Sequence, residues 1–367
     1  MQNPLLSPFD GNLNTIPFSK IKIAHFKPAI LEAIENAKTE IESIKSATEA
    51  ANFENTFVAY ERSGELLGQI STIFFNLNSS NTSDEMQQLA QELSPILTAY
   101  SSEIQLDQGL FNRIKEAYDN TDKSSLDAES LYLMEKIYKG FVRNGALLGE
   151  AEKAELKDLN TAISKLSLKF GENVLKDSNS FEMWIENEAD LKGLPESAKE
   201  AARMMAEAKG KTGKWLVNLD YPSYIPFMKY AENRTLREKL FRAFGARGFN
   251  QNEFNNEAIL KEIAEKRHQK ALLLGYSSHA KFILEQRMAK SPDNVIALWD
   301  DLLNSALPLA KNEIDEVQEI SNRLNGPSPV QRWDFAYYSE KLKNEKIKYI
   351  VNFINIVFKC TISSMAR

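Results

Sequence analysis

Apolar residues recur at steps of three and four through most of this chain, the period of a helix with one buried stripe. Phe26, Ile30, Ile34, Ala37, Ile41 and Ile44 make one such stripe, on a helix expected to begin near Phe26 with Pro28 in its first turn. Residues 52–77 read as a second helix carrying Gly64 and Gly68. Each glycine costs about 1 kcal/mol against alanine in a helix interior, so close helix packing is expected there. Ser83 and Asp84 are cap candidates for a helix to Ile104 that Pro95 should kink. The pattern continues over 108–118 and 126–140. It is clearest over 151–175, where Leu156, Leu159, Ile163, Leu166, Phe170 and Val174 share a face and Lys and Glu fill the other.

Near residue 181 the period shortens to two. Phe181, Met183 and Ile185 alternate with Glu182, Trp184 and Glu186, and Trp215, Val217 and Leu219 alternate in the same way, so two strands are expected. Between them Leu194-Pro195 opens a short helix through Ala208. Tyr221-Pro222-Ser223 reads as a turn before an element starting at Ile225-Pro226. Helices follow over 234–244, 253–274 and 278–288. Ser291-Pro292 is a strong helix start. Its helix carries Val295, Leu298, Leu302, Ala306, Leu309, Val317, Ile320 and Leu324 on one broad face, with a bend at Pro308 and a stop at Asn325-Gly326-Pro327. Trp333, Phe335, Tyr337 and Tyr338 then crowd into six residues and need a large surface to bury against. The first 24 residues, punctuated by Pro4, Pro8, Gly11 and Pro17, read as an extended arm on the core. No fixed internal period appears, which argues against a solenoid. The expected fold is mainly α: a multi-helix body with a small two-strand insertion.

Composition narrows the function classes. At 367 residues the chain has room for about two domains. A net charge of −6 argues against a broad phosphate-binding surface, so no nucleic-acid partner is expected. The single cysteine, Cys360, excludes an intramolecular disulfide framework and fits a reducing compartment. The first residues have no basic and apolar leader pattern, and no apolar run is long enough to span a bilayer. The expectation is cytoplasmic, with no membrane partner.

The candidate chemistry is sparse. A helical metallopeptidase site needs two histidines four apart with a glutamate between them. The three histidines, His25, His268 and His279, contain no such pair. His268 sits among Arg267, Gln269 and Lys270 as a solvated or capping residue, and His25 borders a helix start. Gly210-Lys211-Thr212 has the ending of a phosphate-binding loop, but Met205 stands where its first glycine is required and the preceding segment is helical, so 209–214 reads as an ordinary loop. Cys360 has no histidine near it in sequence. The basic residues of 199–203 and 234–247 read first as helix solubility, with a peptide-carboxylate contact as the minor alternative. No residue is therefore assigned as catalytic, cofactor-binding or metal-binding.

The order of residues carries more than their composition. Trp-Asp-Phe-Ala-Tyr-Tyr-Ser-Glu-Lys-Leu-Lys (333–343) resembles a segment of the thimet oligopeptidase, oligopeptidase A and peptidyl-dipeptidase Dcp family of zinc metallopeptidases. Further pieces keep the same order: IPFSKIKIAHFKPAI, FENTFVAYERSGELL, YKGFVRNGALL, KWLVNLDYPSYIPFMKYAENRTLREKLFRAFGARG and ILKEIAEKRHQKALLLGYSS. Within that family the ordered pieces resemble the peptidyl-dipeptidase Dcp branch. The resemblance implies a helical fold whose two halves enclose a channel for short peptides. It implies a zinc held by a His-Glu-x-x-His pair and a later glutamate, none of which can be placed on this chain. The implied division is 1–225 as an N-terminal channel wall, 226–349 as the truncated start of a peptidase domain, and 350–367 as a non-family tail, expected to arise from a shifted frame or gene break, with a genuine short tail of a divergent paralogue as the alternative. The chain is expected to hold no zinc, to be inactive by itself, and to self-associate through apolar surface left without a partner. Short peptides are the partners of intact relatives. The rival reading is a helical peptide-binding or scaffold protein that never had catalytic function.

Overall fold

The computed structural model describes residues 3–7, 9 and 15–347, so the stretch 350–367 lies outside the described residues. Helix α1 spans Ile23–Ser46, starting three residues before Phe26. The earlier start has a local cause: the His25 ring accepts the Lys22 backbone N–H at 3.1 Å, satisfying an N-terminal donor that the helix leaves unpaired. The expected single helix over 52–77 is broken. Phe53–Val58 form a π-helical turn, α2 covers Ala59–Arg62, and α3 covers Glu65–Ser80. Gly64 makes the break. It takes φ of 71°, in the left-handed region that a side chain disfavours, and its N–H donates to Glu40 at 2.7 Å. Close packing does not explain Gly68, because nothing lies within 4 Å of a Cβ placed on it, whereas one on Gly64 would stand 3.6 Å from Ala37 Cβ.

Helices α4 (Asp84–Gln105), α5 (Gln108–Asn120), α6 (Ala128–Arg143) and α7 (Glu150–Ser180) follow the apolar stripes closely. Ser83 caps α4 by accepting the Met86 N–H at 3.2 Å. Strands β1 (Met183–Ile185) and β2 (Trp215–Val217) pair antiparallel with Trp184 opposite Leu216. Between them lies α8 (Glu196–Ala208). The Tyr221-Pro222-Ser223 stretch is not a free turn but the first turn of α9 (Tyr221–Tyr230), where Pro222 lacks an N–H that would have gone unpaired anyway. Then come α10 (Arg234–Gly245), α11 (Glu257–Leu273), α12 (His279–Leu284), α13 (Pro292–Arg323) and α14, helical over 332–347. Helix α11 starts later than expected because the buried Asp177 carboxylate captures the preceding loop. It accepts the Gly248 N–H at 2.7 Å and the Asn250 and Asn252 side-chain amides at 2.8 and 2.7 Å. The fold is mainly α with one small two-strand sheet among the described residues, as the periodicity predicts.

The chain divides into two compact units. One comprises Met1–Glu172 and Ile259–Met288; the other comprises Asn173–Ala258 and the chain from Ala289 onward. This division by packing follows a different line from the division at residue 225, which rests on likeness. The first unit has two apolar clusters. Leu5 from the N-terminal arm joins Phe26, Ile30, Ile70, Phe74 and Leu93 in one, and Ile41, Phe57, Leu110, Phe111 and Met134 lead the other. In the second unit Met183, Ile185, Val217, Phe227 and Leu240 form the main cluster, with Trp333 packed on it. Each such side chain contributes about 1.5–3 kcal/mol by leaving water. The first half of α13 has no such cover among the described residues: Leu298, Trp299, Leu302 and Leu303 are each more than half exposed.

Candidate functional site

The segment that carries the resemblance is anchored by one buried ion cluster in the second unit. Helix α10 begins at an Asn233 cap, whose side chain accepts the Leu236 N–H at 3.1 Å. This start sets Arg234 and Arg237 three positions apart, on one side of the helix. Arg234 makes a forked contact to Asp334 on α14, with Nε at 2.9 Å from Oδ1 and Nη2 at 2.8 Å from Oδ2. Arg237 donates from Nη2 to Asp334 Oδ1 at 3.0 Å, and its other nitrogens reach the Ala231, Glu232 and Trp333 carbonyls. Asp334 also accepts the Gln331 N–H at 3.1 Å, which caps α14. Both Arg237 and Asp334 are buried. Burial by itself would push the Asp334 carboxyl up, but hydrogen bonds from Arg234, the Gln331 backbone and Arg237 outweigh it, and the net direction is down.

Tyr337 lies over the Arg237 guanidinium at 4.3 Å, and Trp333 stands over Arg242 at 4.7 Å. Tyr338 is buried against Val317 and Ile320. The aromatic crowd thus finds most of its cover inside the unit, with Phe335 alone among the four left substantially exposed. The basic run of 234–247 is correspondingly not just a solubility device, since Arg237 is a core residue. The sequence signal was available in two arginines spaced three apart after an asparagine cap, together with an Asp set between two aromatics. The cluster is a clamp rather than a catalytic group. A carboxylate held low and already accepting five hydrogen bonds has no capacity to take a proton from water.

The histidines are not brought together into a metal site. His25 is committed to the α1 start through Nδ1. His268 is exposed on α11. His279 opens α12 with its ring 6.3 Å from Phe282 and its Nδ1 buried without a hydrogen-bond partner. Burial, then Arg267 and Lys270, hold its pKa below the usual histidine value. Among the described residues no group of three or more His, Cys, Asp or Glu side chains could hold a metal ion. Cys360 lies outside the described residues.

The 209–214 loop is an ordinary connection between α8 and β2. Its lysines are spoken for: Lys209 pairs with Glu182, Lys214 with Glu186, and Lys211 sits 3.8 Å over the Trp184 ring. Lys199 and Arg203 pair along α8 with Glu196, Glu200 and Glu207, the solvated helix face expected of them. Below α8 a cavity of about 150 Å³ is lined by Leu194, Ala202, Met205, Val217 and Phe227. It is smaller than the range of about 300–1,000 Å³ usual for ligand pockets. No described helix is long and apolar enough to cross a membrane.

Comparison with known proteins places this scaffold. Residues 227–362 match peptidase family M3, a match that begins in α9 and runs past Tyr349. The chain is 32% identical over 329 residues to dipeptidyl carboxypeptidase of Escherichia coli, covering 90% of this chain and 48% of that protein. It is 31% identical over 347 residues to oligopeptidase A of Salmonella typhimurium, covering 94% of this chain and 50% of that protein. It is 28% identical over 352 residues to a probable cytosolic oligopeptidase A of Arabidopsis thaliana, covering 94% and 49%. The chain spans about half the length of these relatives. Likeness sustained in order over nine-tenths of the chain bears out the resemblance read from its segments: the chain is similar to oligopeptidase A and dipeptidyl carboxypeptidase, and residues 227–362 match peptidase family M3.

Proposed function

We propose that this chain is the N-terminal part of a zinc-dependent peptidase of the peptidyl-dipeptidase or oligopeptidase type, and that it neither holds zinc nor cleaves peptides by itself. The reaction in question is hydrolysis of short peptides. It needs a metal-polarised carbonyl and a water activated by a general base. One observation carries the reading: no two of His25, His268 and His279 have the spacing that a helical zinc site requires. The engagement of His25 in a helix cap and of Asp334 in an arginine clamp supports it, since each group is already used in holding the fold. The work left to these residues is to form walls. Residues 1–225 would line a peptide channel, and 226–349 would begin the peptidase domain. A family match starting at residue 227 supports drawing the line there. The single cysteine suits a cytoplasmic location.

Purified, chelator-washed protein tests the proposal. Metal analysis should find no stoichiometric zinc, and short peptides should survive incubation with and without added zinc. One tightly bound zinc per chain, or chelator-sensitive cleavage that co-purifies with the chain, overturns it.

A further inference from the structure

The first unit contains a cleft of about 450 Å³ that the peptidase reading does not use. Four helices wall it: α3, α4, α7 and α11. Lys270, near the end of α11, reaches in and donates to the Asn160 side chain at 2.7 Å. Around it lie hydroxyls. Ser94 and Ser164 are 2.8 Å apart, Thr98 is 3.0 Å from Ser164, and Ser102 accepts from Asn160 at 3.4 Å. Phe75, Leu97 and Ile163 supply an apolar margin. No carboxylate lines the cleft.

We propose that this cleft binds the carboxylate group of a small organic acid, with Lys270 as its counter-ion and the α4 and α7 hydroxyls as its donors. Lys270 is half-buried with no acidic partner among the described residues, only the Asn160 oxygen and the Phe282 ring at 5.9 Å, and an ammonium drawn out of water without a counter-ion is costly. Burial accordingly holds its pKa below the usual lysine value, and no carboxylate acts against that. The other charged groups near it, Arg267 on its own helix and His279 on α12, are cationic or neutral and do not supply the missing charge. An anion would. A hydroxyl can turn its hydrogen toward an oxygen without moving its heavy atoms, so Ser94, Ser164 and Thr98 can serve as donors when a ligand is present. One cation and no helix N-terminus at the site favour a single negative charge over a phosphate dianion. The apolar margin suits a short carbon tail, and the volume is that of an ordinary small-molecule site.

The same chemistry is presented by a free acid and by the C-terminal end of a peptide, so both are tried. Butyrate, butyramide, acetyl-dialanine and its C-terminal amide are titrated into the full chain, and binding is followed by calorimetry. Butyrate or acetyl-dialanine should bind, and the matching amide should be weaker by about tenfold or more, the worth of a hydrogen bond to a charged group. Lys270→Met should abolish the difference, and Lys270→Arg should keep much of it. Binding should weaken as pH rises while still below about 10.4, as the ammonium loses its proton. Whichever carboxylate binds better identifies the source. Equal binding of acid and amide by the unaltered chain, no binding of any probe, or a Lys270→Met variant that discriminates as well as wild type overturns the proposal. The acid-against-amide comparison decides even where a variant does not fold. It is independent of peptidase activity.

Discussion

Arg237 on α10 and Asp334 on α14 meet at 3.0 Å across 97 positions of sequence, and both are buried. This contact ties the aromatic helix to the body of the second unit. Removing one partner strands the other's charge. Asp334→Ala should therefore cost about 3–5 kcal/mol, read as a lower denaturant midpoint. Arg234→Ala should cost less, because Arg234 is 41% exposed and Arg237 still neutralises the carboxylate. Replacing the pair together, Arg237→Met with Asp334→Leu, should recover much of the loss. Equal costs for all three would show that the buried charge is not what matters.

The same pair sets an acid limit. Because hydrogen bonds hold the folded Asp334 carboxyl below its ordinary value, its contribution is complete above about pH 4. It is lost as pH falls further, through the lowered folded value. Urea midpoints for wild type and Asp334→Asn should therefore converge as pH falls below about 4. A gap that stays constant over that range would refute the linkage.

Two glycines should respond in opposite senses to alanine. A Cβ on Gly326 would overlap the Tyr338 hydroxyl and stand 2.6 Å from Ser321 Oγ. Gly326→Ala should destabilise by about 1–3 kcal/mol, the usual cost of overpacking. Gly68 is exposed inside α3 with nothing near its missing side chain, so Gly68→Ala should stabilise by about 0.5–1 kcal/mol. Thermal melts of the two variants decide both signs.

The uncovered part of α13 should make the chain sticky. Leu298, Trp299, Leu302 and Leu303 form a contiguous apolar surface of the kind that drives association. The protein should bind a hydrophobic dye and show concentration-dependent mass in sedimentation. Trp299→Glu with Leu302→Lys should reduce both. A monomer at high concentration without dye binding sinks this expectation.

Sequence by itself determined most of the helices, because a 3.6-residue apolar stripe is best satisfied by one kind of local structure. The stripes of α1 and α7 and the alternation of β1 and β2 needed no tertiary information. The serine caps of α4 and α13 were equally legible, since their hydrogen bonds close within three residues. The order of the aromatic and charged segments also carried the resemblance. What only tertiary structure decided was where polar groups spend their hydrogen bonds. Arg237 and the surface arginine Arg203 look alike in sequence, yet one is in the core and the other is paired along an exposed helix. The helix stop after α13 shows the same limit. The left-handed residue is Asn325, at φ 55°, and Gly326 is required for space under Tyr338 instead. The Lys270 cleft was invisible for that reason too. Its hydroxyls lie on α4 and α7 and its lysine on α11, more than a hundred positions from Asn160, and no local period records a contact at that range.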